Sequence, residues 1–473
     1  MSQLSNLRIG REAVSGLIAR LTQALVGFGG TIIFARYLDP AGYGGIVFFM
    51  TVGTLVDQPI NGWSMAVKKR VSEAIDRVDE AVGTQLMFNV LWVCILAVGA
   101  FTFGEQLTAS TGIQYAPILL VLYVLAGTTL DTLYKILQGI GKIGLSYWVE
   151  TVRRSFSFVV RVGLMFVFGA VGIIYASILV PGIFIPAVIY LAGAHPRLPN
   201  VNRLREYVNF GQYSIPAAIF GTVAKRIDIL LLGIVLSSEA VGYYEIAWQL
   251  TLPGIFIAYT AGSGLMSKVS NIGHENATGV IKDTVAFTSV LTIPILFGSP
   301  VIGRELVVTL FGAEYLPAVQ LIVGLALYRV VRSQSDPLES TVYGLNRPDS
   351  VLKISIVTIL TNVLLGAVLV IKIGILGVVL ATIVSEVVRY VAVIVVLRNE
   401  LGTAMFFSRP LFDQLVAGTL MFGGVSAVNA VLDVAPWLAI VIIVGSGAVF
   451  YAGVLTLISP WHRKRATRYV SAA

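Results

Sequence analysis

Apolar runs of about 20 residues, parted by short polar connections, recur along almost the whole chain. As a helix, a run of that length crosses roughly 30 Å of hydrocarbon. The pattern predicts about fourteen membrane-spanning helices, the first over 13–35 and the last over 436–458. Charged residues interrupt several of them, notably 44–66, 146–169, 209–236, 241–264 and 316–341. The runs are continuous rather than alternating residue by residue, which excludes a transmembrane β-barrel. The expected fold class is therefore an all-α integral membrane protein. The widest connections, near 67–82, 194–208 and 265–280, are about fifteen residues each, too short for a soluble catalytic domain. The first run is longer than a signal-peptide core and leads straight into further spans, so it reads as a retained helix.

Composition sharpens this picture. Hydrophobic residues make up 56% of the 473 residues and charged ones only 12%. A soluble domain carries roughly a quarter charged residues to cover its surface, and this chain lacks them. The net charge of +8 raises the question of nucleic acid. The basic residues, however, sort by connection. Those after even-numbered spans hold Lys68, Lys69, Arg70, Lys142, Arg203, Lys268, Arg347 and Arg398, whereas the opposite side holds only Arg36, Arg304 and Lys372. Positive charge marks the cytoplasmic face, so both termini are expected in the cytoplasm of a cell-membrane protein, and no nucleic acid is needed. One cysteine, Cys94, and three histidines leave little for a disulfide, zinc or haem site.

Short turns hint at an internal repeat. "YLDPAGYG" (Tyr37 to Gly44) follows span 1, and "VLSSEAVGYY" (Val235 to Tyr244) follows span 7. Two halves with an even number of crossings would be parallel repeats about the membrane normal. These turns also carry a family resemblance. "FARYLDPAGYGGIVFFMTVGTLVDQPINGWSMAVKKRVSE" (Phe34 to Glu73) resembles the opening of polysaccharide and lipid-linked oligosaccharide flippases, with Lys68-Lys69-Arg70 as the basic stretch after span 2. "YSIPAAIFGTVAKRIDILLLGIVLSSEAVGYYEIAWQL" (Tyr213 to Leu250), "LVVTLFGAEYLPAV" (Leu306 to Val319) and "GLNRPDSVLKIS" (Gly344 to Ser355) are similar to later segments of that family.

The resemblance implies two six-helix lobes in a V around a central cavity, here 1–200 and 201–400, with two added spans and a basic tail in 401–473. It implies a transporter and not an enzyme. The substrate would be a polyprenyl-phosphate or pyrophosphate oligosaccharide, moved from the cytoplasmic to the outer leaflet by alternating access. Membrane lipids are the other partner, no cofactor is expected, and a monomer suffices. The wider group also contains multidrug exporters and the peptidoglycan-precursor flippase.

Charges inside the spans are the candidate chemistry, because a charge at mid-bilayer costs about 2.5–3.5 kcal/mol on insertion scales. "AKRID" places Lys225, Arg226 and Asp228 within four residues of an apolar run. Glu150, Arg154, Ser157 and Arg161 share one helical face, as do Arg329, Arg332 and Asp336. So do Asp57, Asn61, Ser64 and Lys68. Arg20, Arg154, Arg161, Lys225, Arg226, Arg329 and Arg332 are the candidates for holding a phosphate, through bidentate or point-charge contacts. Asp57, Asp228, Glu245 and Asp336 are candidate charge partners, or sites for a coupling ion (Na⁺ or H⁺). Gln58, Asn61, Gln138, Tyr213, Trp248 and Gln249 are candidate sugar contacts.

A plainer reading stands beside this one. Lys225–Asp228, Arg332–Asp336, Glu386–Arg389, Asp131–Lys135 and Glu150–Arg154 are spaced to neutralise each other along a helix. The polar amides fit helix–helix hydrogen bonds equally well. An ion-coupled exporter of small drugs or metabolites is the alternative function. It calls for unpaired acids, whereas the deepest unshared charges here are basic. A membrane-embedded polymerase or glycosyltransferase would need a large outer loop or an acid cluster. From the charge asymmetry, a C-terminal green fluorescent protein fusion is expected to fluoresce and a C-terminal alkaline phosphatase fusion to be inactive in cells. The reverse pattern would place the C-terminus outside.

Overall fold

The computed structural model describes residues 26–73, 78–193, 197, 201–272, 274–402, 409–432 and 434–463. Helices follow one another with no strand among the described residues. In chain order they are α1 (26–37), α2 (Pro40–Val56), α3 (Gln58–Glu73), α4 (Val78–Thr102), the short α5 (Gly104–Thr111), α6 (Ala116–Gly139), α7 (Ile143–Phe168) and α8 (Ala170–Ala192). Then come α9 (Val201–Val235), α10 (Ser238–Thr251), α11 (Phe256–Ile272), α12 (His274–Thr288), α13 (Thr292–Leu310) and α14 (Val319–Gly344). The chain closes with α15 (Pro348–Ile373), α16 (Ile375–Leu401), α17 (Arg409–Val431) and α18 (Pro436–Ile458). The all-helical expectation holds, and this is a multi-pass membrane protein.

Ten helices or helix pairs among the described residues are long and apolar enough to cross a membrane. They coincide with ten of the fourteen runs read from the sequence. The other four runs differ for visible reasons. Most of 13–35 lies outside the described residues, and 44–66 is divided at Asp57 into α2 and α3. Helices α7 and α9 have the length, but neither holds an 18-residue stretch that is both apolar enough and free enough of charge. Breaks follow local chemistry elsewhere too. Pro253 sits in the 3₁₀ turn Leu252–Ile255 between α10 and α11. Helices α12 and α13 part just before Pro294, since a ring nitrogen offers no donor to continue the ladder.

The chain divides into two compact units, 1–222 and 223–473, with the boundary inside α9. The repeated turns behave alike in the two units. Asp39 caps α2 by accepting from Gly42 N at 2.6 Å, with Pro40 at the first helical position. Ser237 caps α10 by accepting from Ala240 N at 3.3 Å. Each side chain satisfies a donor that a helix start leaves orphaned.

In the first unit, α3, α4, α6, α8 and the start of α9 share a core in which Trp63 stacks flat on Phe88 with ring centres 4.5 Å apart. Gly62 lets α3 and α9 touch through their backbones: a Cβ there would lie 2.6 Å from Ile215 Cα. Ser214 Oγ donates to the Gly62 carbonyl at 2.8 Å across the same contact. In the second unit, α17 and α18 pack on α13 around Ile293, Met421 and Ile443. A buried polar knot fastens them. Gln414 Nε2 donates to the Ala286 carbonyl at 2.7 Å, and its Oε1 accepts from Ser289 at 2.6 Å. His462 completes the knot, with a ring nitrogen 3.0 Å from Gln414 and the other 2.9 Å from Ser459 Oγ.

Backbone cannot yield as a side chain can, so Gly62→Val is expected to cost about 2 kcal/mol of stability by overpacking. Gly99→Ala, where a Cβ meets nothing within 4 Å, is the control. Thermal unfolding in detergent checks this, and equal midpoints for the two variants would refute the close approach.

Candidate functional site

The charged stripe of α3 is met by α6. Lys135 Nζ donates to Ser64 Oγ at 2.6 Å and to the Asn61 carbonyl at 3.1 Å, and also bonds Asn61 Oδ1. Lys68 Nζ donates to Gln138 Oε1 at 2.7 Å. Gln58 donates to Asp57 at 2.5 Å and accepts from Asn61 at 3.1 Å. The helical period puts these α3 groups on one face, and that face is engaged by a single neighbour. Asn61 and Gln138 thus spend polar atoms on a helix–helix zipper, and Gln58 spends its own on Thr54, Asp57 and Asn61 beside it in the chain. On α7, Arg154 Nε binds Glu150 at 2.9 Å on an open surface, whereas Arg161 Nε is buried with no hydrogen-bond partner. Tyr213 projects from α9 and is 74% exposed. Arg20 lies outside the described residues.

The second unit separates its charges into two groups. One is closed. Arg332 binds Asp336 at 2.6 Å and Glu386 at 3.2 Å, and Arg389 binds Glu339 at 3.1 Å and Glu386 at 3.6 Å. Ser335 Oγ adds a hydrogen bond to Glu386. Two guanidinium groups and three carboxylates from α14 and α16 therefore form one ion-pair group, with one carboxylate more than it has cations. The helical pairs Arg332–Asp336 and Glu386–Arg389 form as their spacing predicts, and the links between helices double them.

The other group is open. Lys225, Arg226, Asp228, Tyr244, Glu245 and Trp248 line one cleft between α9 and α10. Asp228 does not pair with Lys225, as the spacing had suggested. The two side chains leave α9 differently, and Asp228 points into the protein. There it accepts from Tyr244 OH at 2.7 Å and from Thr382 Oγ1 at 3.1 Å. Asn362 on α15 completes this polar patch by donating to Ser385 Oγ at 3.2 Å. Lys225 is left exposed with no ion pair among the described residues. Arg226, 43% exposed, reaches Glu245 at 3.5 Å, and Gln249 Nε2 donates to the other oxygen of Glu245 at 2.7 Å.

Behind the cleft, Trp248 stacks between Tyr244 and Tyr328, with ring centres 6.0 and 5.5 Å away. Arg329 lies over the indole at 3.9 Å and is only 2% exposed, and its Nε and Nη2 have no hydrogen-bond partner. The indole face is its main compensation, a cation–π contact worth about 2 kcal/mol when desolvated. Arg329 and Arg332 share a helical stripe, yet one joins the cleft and the other the closed group. Lys225, Arg226 and Arg329 against Asp228 and Glu245 leave this region with an excess positive charge. It can bind an anion through charge-assisted hydrogen bonds.

Sequence reasoning missed Tyr244, Tyr328, Asn362 and Thr382. Each is a common residue of apolar helices and becomes functional only through the neighbour it meets.

Comparison with known proteins places the chain. The model of the polysaccharide biosynthesis protein family matches residues 33–320. The chain belongs to that family. This bears out the resemblance read from its turns. Among similar proteins, the probable low-salt glycan biosynthesis flippase Agl15 of Haloferax volcanii is 24% identical, over 80% of this chain and 81% of its own length. The probable flippase AglR of the same organism is 23% identical, over 98% and 99%. Among solved structures, the lipid II flippase MurJ in an inward closed conformation gives a TM-score of 0.75 at 15% identity, covering 94% of this chain and 98% of that one. An inward-facing multidrug resistance MATE family transporter gives 0.63 at 15% identity, covering 80% and 94%. These two likenesses establish the fold of this polysaccharide biosynthesis protein.

Removing one partner from a buried ionic group strands the others, at a cost of about 3 kcal/mol or more. Glu386→Ala, which takes one of its two carboxylate partners from each of Arg332 and Arg389 and unties α14 from α16 at Arg332, is therefore expected to lower unfolding free energy in detergent by about 3 kcal/mol. A change under 1 kcal/mol would mean that the closed group is already hydrated (about 1 kcal/mol is the upper range for exposed pairs).

Proposed function

We propose that this protein is a flippase. It moves a lipid-linked oligosaccharide, carried on a polyprenyl phosphate or pyrophosphate, from the cytoplasmic to the outer leaflet of the cell membrane by alternating access. The glycan then serves polysaccharide or glycoprotein assembly. The work is transport with no covalent change to the substrate, and a monomer performs it with both termini cytoplasmic. The observation that carries this reading is the basic cleft of α9, in a chain similar over 98% of its length to a probable flippase.

The chemistry supports it. A phosphate cannot enter hydrocarbon without replacing its hydration by charge-assisted bonds. Lys225 and Arg226 are the accessible cations of the cleft, and Arg329 adds fixed positive potential behind them. Trp248 provides an amphipathic surface next to them, suited to a sugar ring. Transport against a gradient needs a coupling ion, Na⁺ or H⁺. Asp228 is the carboxylate best placed for one, since it has no ion pair within 4 Å among the described residues and faces Thr382 and Asn362. The small-molecule exporter reading finds less support, because the accessible unpaired charge in the cleft is basic.

The test follows the glycan. Vesicles or cells with the protein should present lipid-linked glycan on the outer leaflet, and those without it should not. The Lys225→Ala/Arg226→Ala double variant, present at normal level in the membrane, should lower the export rate at least tenfold, for the loss of two phosphate contacts of ~1.5 kcal/mol each. Equal export with and without the protein would reject the flippase reading. Normal export by the variant would reject the anion site alone.

A further inference from the structure

Glu245 is an odd neighbour for a phosphate site. It is a buried carboxylate, its side chain only 6% exposed, set against the very arginine that the substrate anion should use. Its bond to Arg226 is long at 3.5 Å, against about 2.8 Å for a tight charge-assisted contact. Its other oxygen is held by Gln249 on its own helix at 2.7 Å. The carboxylate is thus anchored on α10 and only loosely joined to α9. A second cation lies one helical turn away. Arg329 of α14 rests on Trp248, which is one turn along α10 from Glu245 and on the same face. Two of its nitrogens are buried with no hydrogen-bond partner. The carboxylate thus pairs with one guanidinium, open to the cleft, while a second guanidinium, without an ion pair among the described residues, is sealed against the indole one turn along the same helix.

We infer that Glu245 is a displaceable counter-ion, which the substrate phosphate drives off Arg226 and which then turns to Arg329. This rests on the flippase reading. Its physical use is release. A pocket of cations alone would bind a pyrophosphate too firmly to let it go, and transport requires a site strong enough to fill and weak enough to empty. An internal anion lowers the affinity by competing for the same guanidinium. It also keeps Arg226 neutralised when no phosphate is there, in a place where a bare charge is expensive. Arg329 makes the exchange cheap, because the displaced carboxylate moves to a cation that already lacks partners. The proposal also assigns the two arginines different duties. Arg226 touches the substrate, and Arg329 receives the carboxylate.

The experiment is a binding cycle on the full chain in lipid nanodiscs, with geranylgeranyl diphosphate as the probe. Glu245→Gln should bind the probe about tenfold tighter than wild type, since the competing charge is gone. It should also flip lipid-linked glycan more slowly, because release is impaired. Glu245→Ala, run beside it in case the amide disturbs folding, must shift affinity in the same direction. Arg329→Gln should weaken binding roughly tenfold, as the carboxylate loses its second partner. In the Glu245→Gln background the Arg329→Gln change should have little effect, a clear departure from additivity. Glu245 variants that bind no tighter than wild type would overturn the counter-ion. Strictly additive effects would overturn the turn to Arg329. Wild type that fails to bind the probe at all would instead reject the flippase reading on which the inference stands.

Discussion

Charge inside a membrane protein has no water to fall back on, and the arrangement of the second unit follows from that constraint. An isolated buried charge costs several kcal/mol, so each one must be paired, spread over a π face, or turned toward a wet cleft. All three solutions occur within a few turns of helix. Arg332 and Arg389 are paired with three carboxylates. Arg329 is spread over Trp248. Lys225 and Arg226 face the cleft. The choice of solution divides scaffold from working surface.

The closed group ties α14 to α16, with both of its guanidinium groups paired to carboxylates. The α3–α6 zipper plays the same part in the first unit, with Lys135 of α6 reaching the polar stripe of α3 and Lys68 of that stripe reaching Gln138 of α6. Both are contacts between rigid elements, and both place polar atoms where hydrocarbon would otherwise demand apolar ones. The C-terminal pair α17 and α18 is fastened by a neutral device, the Gln414 knot. The open group contrasts with all of these. Its cations outnumber its acids, its one ion pair is long, and its neighbours are aromatic. Those are the properties of a surface that binds an anion for a time and gives it up.

Membership of the polysaccharide biosynthesis protein family and a fold shared with MurJ and a MATE transporter fit this division. One helical scaffold can host different cargo because the specifying residues sit on a few faces. Here those faces belong to α9, α10 and α14. Basic residues dominate them where they open, and the acids Asp228 and Glu245 lie deeper, on tyrosine, threonine and glutamine.

Much of the fold was legible in the sequence because hydrophobicity over twenty residues is a local property. The all-helical class, the position of most spans and the turns Tyr37 to Gly44 and Val235 to Tyr244 needed no neighbour to be read. Even the anomaly of "AKRID" was visible, as was the i,i+4 pairing of Arg332 with Asp336. Spacing along one helix tells which side chains share a face, but not what lies opposite. Only the tertiary structure could send Asp228 to Tyr244 and Thr382 rather than to Lys225. Only it could part Arg329 from Arg332, and set Glu245 of α10 against Arg226 of α9. The energy of a buried charge depends on what surrounds it within a few ångströms, and in a helical bundle those groups come from distant parts of the chain.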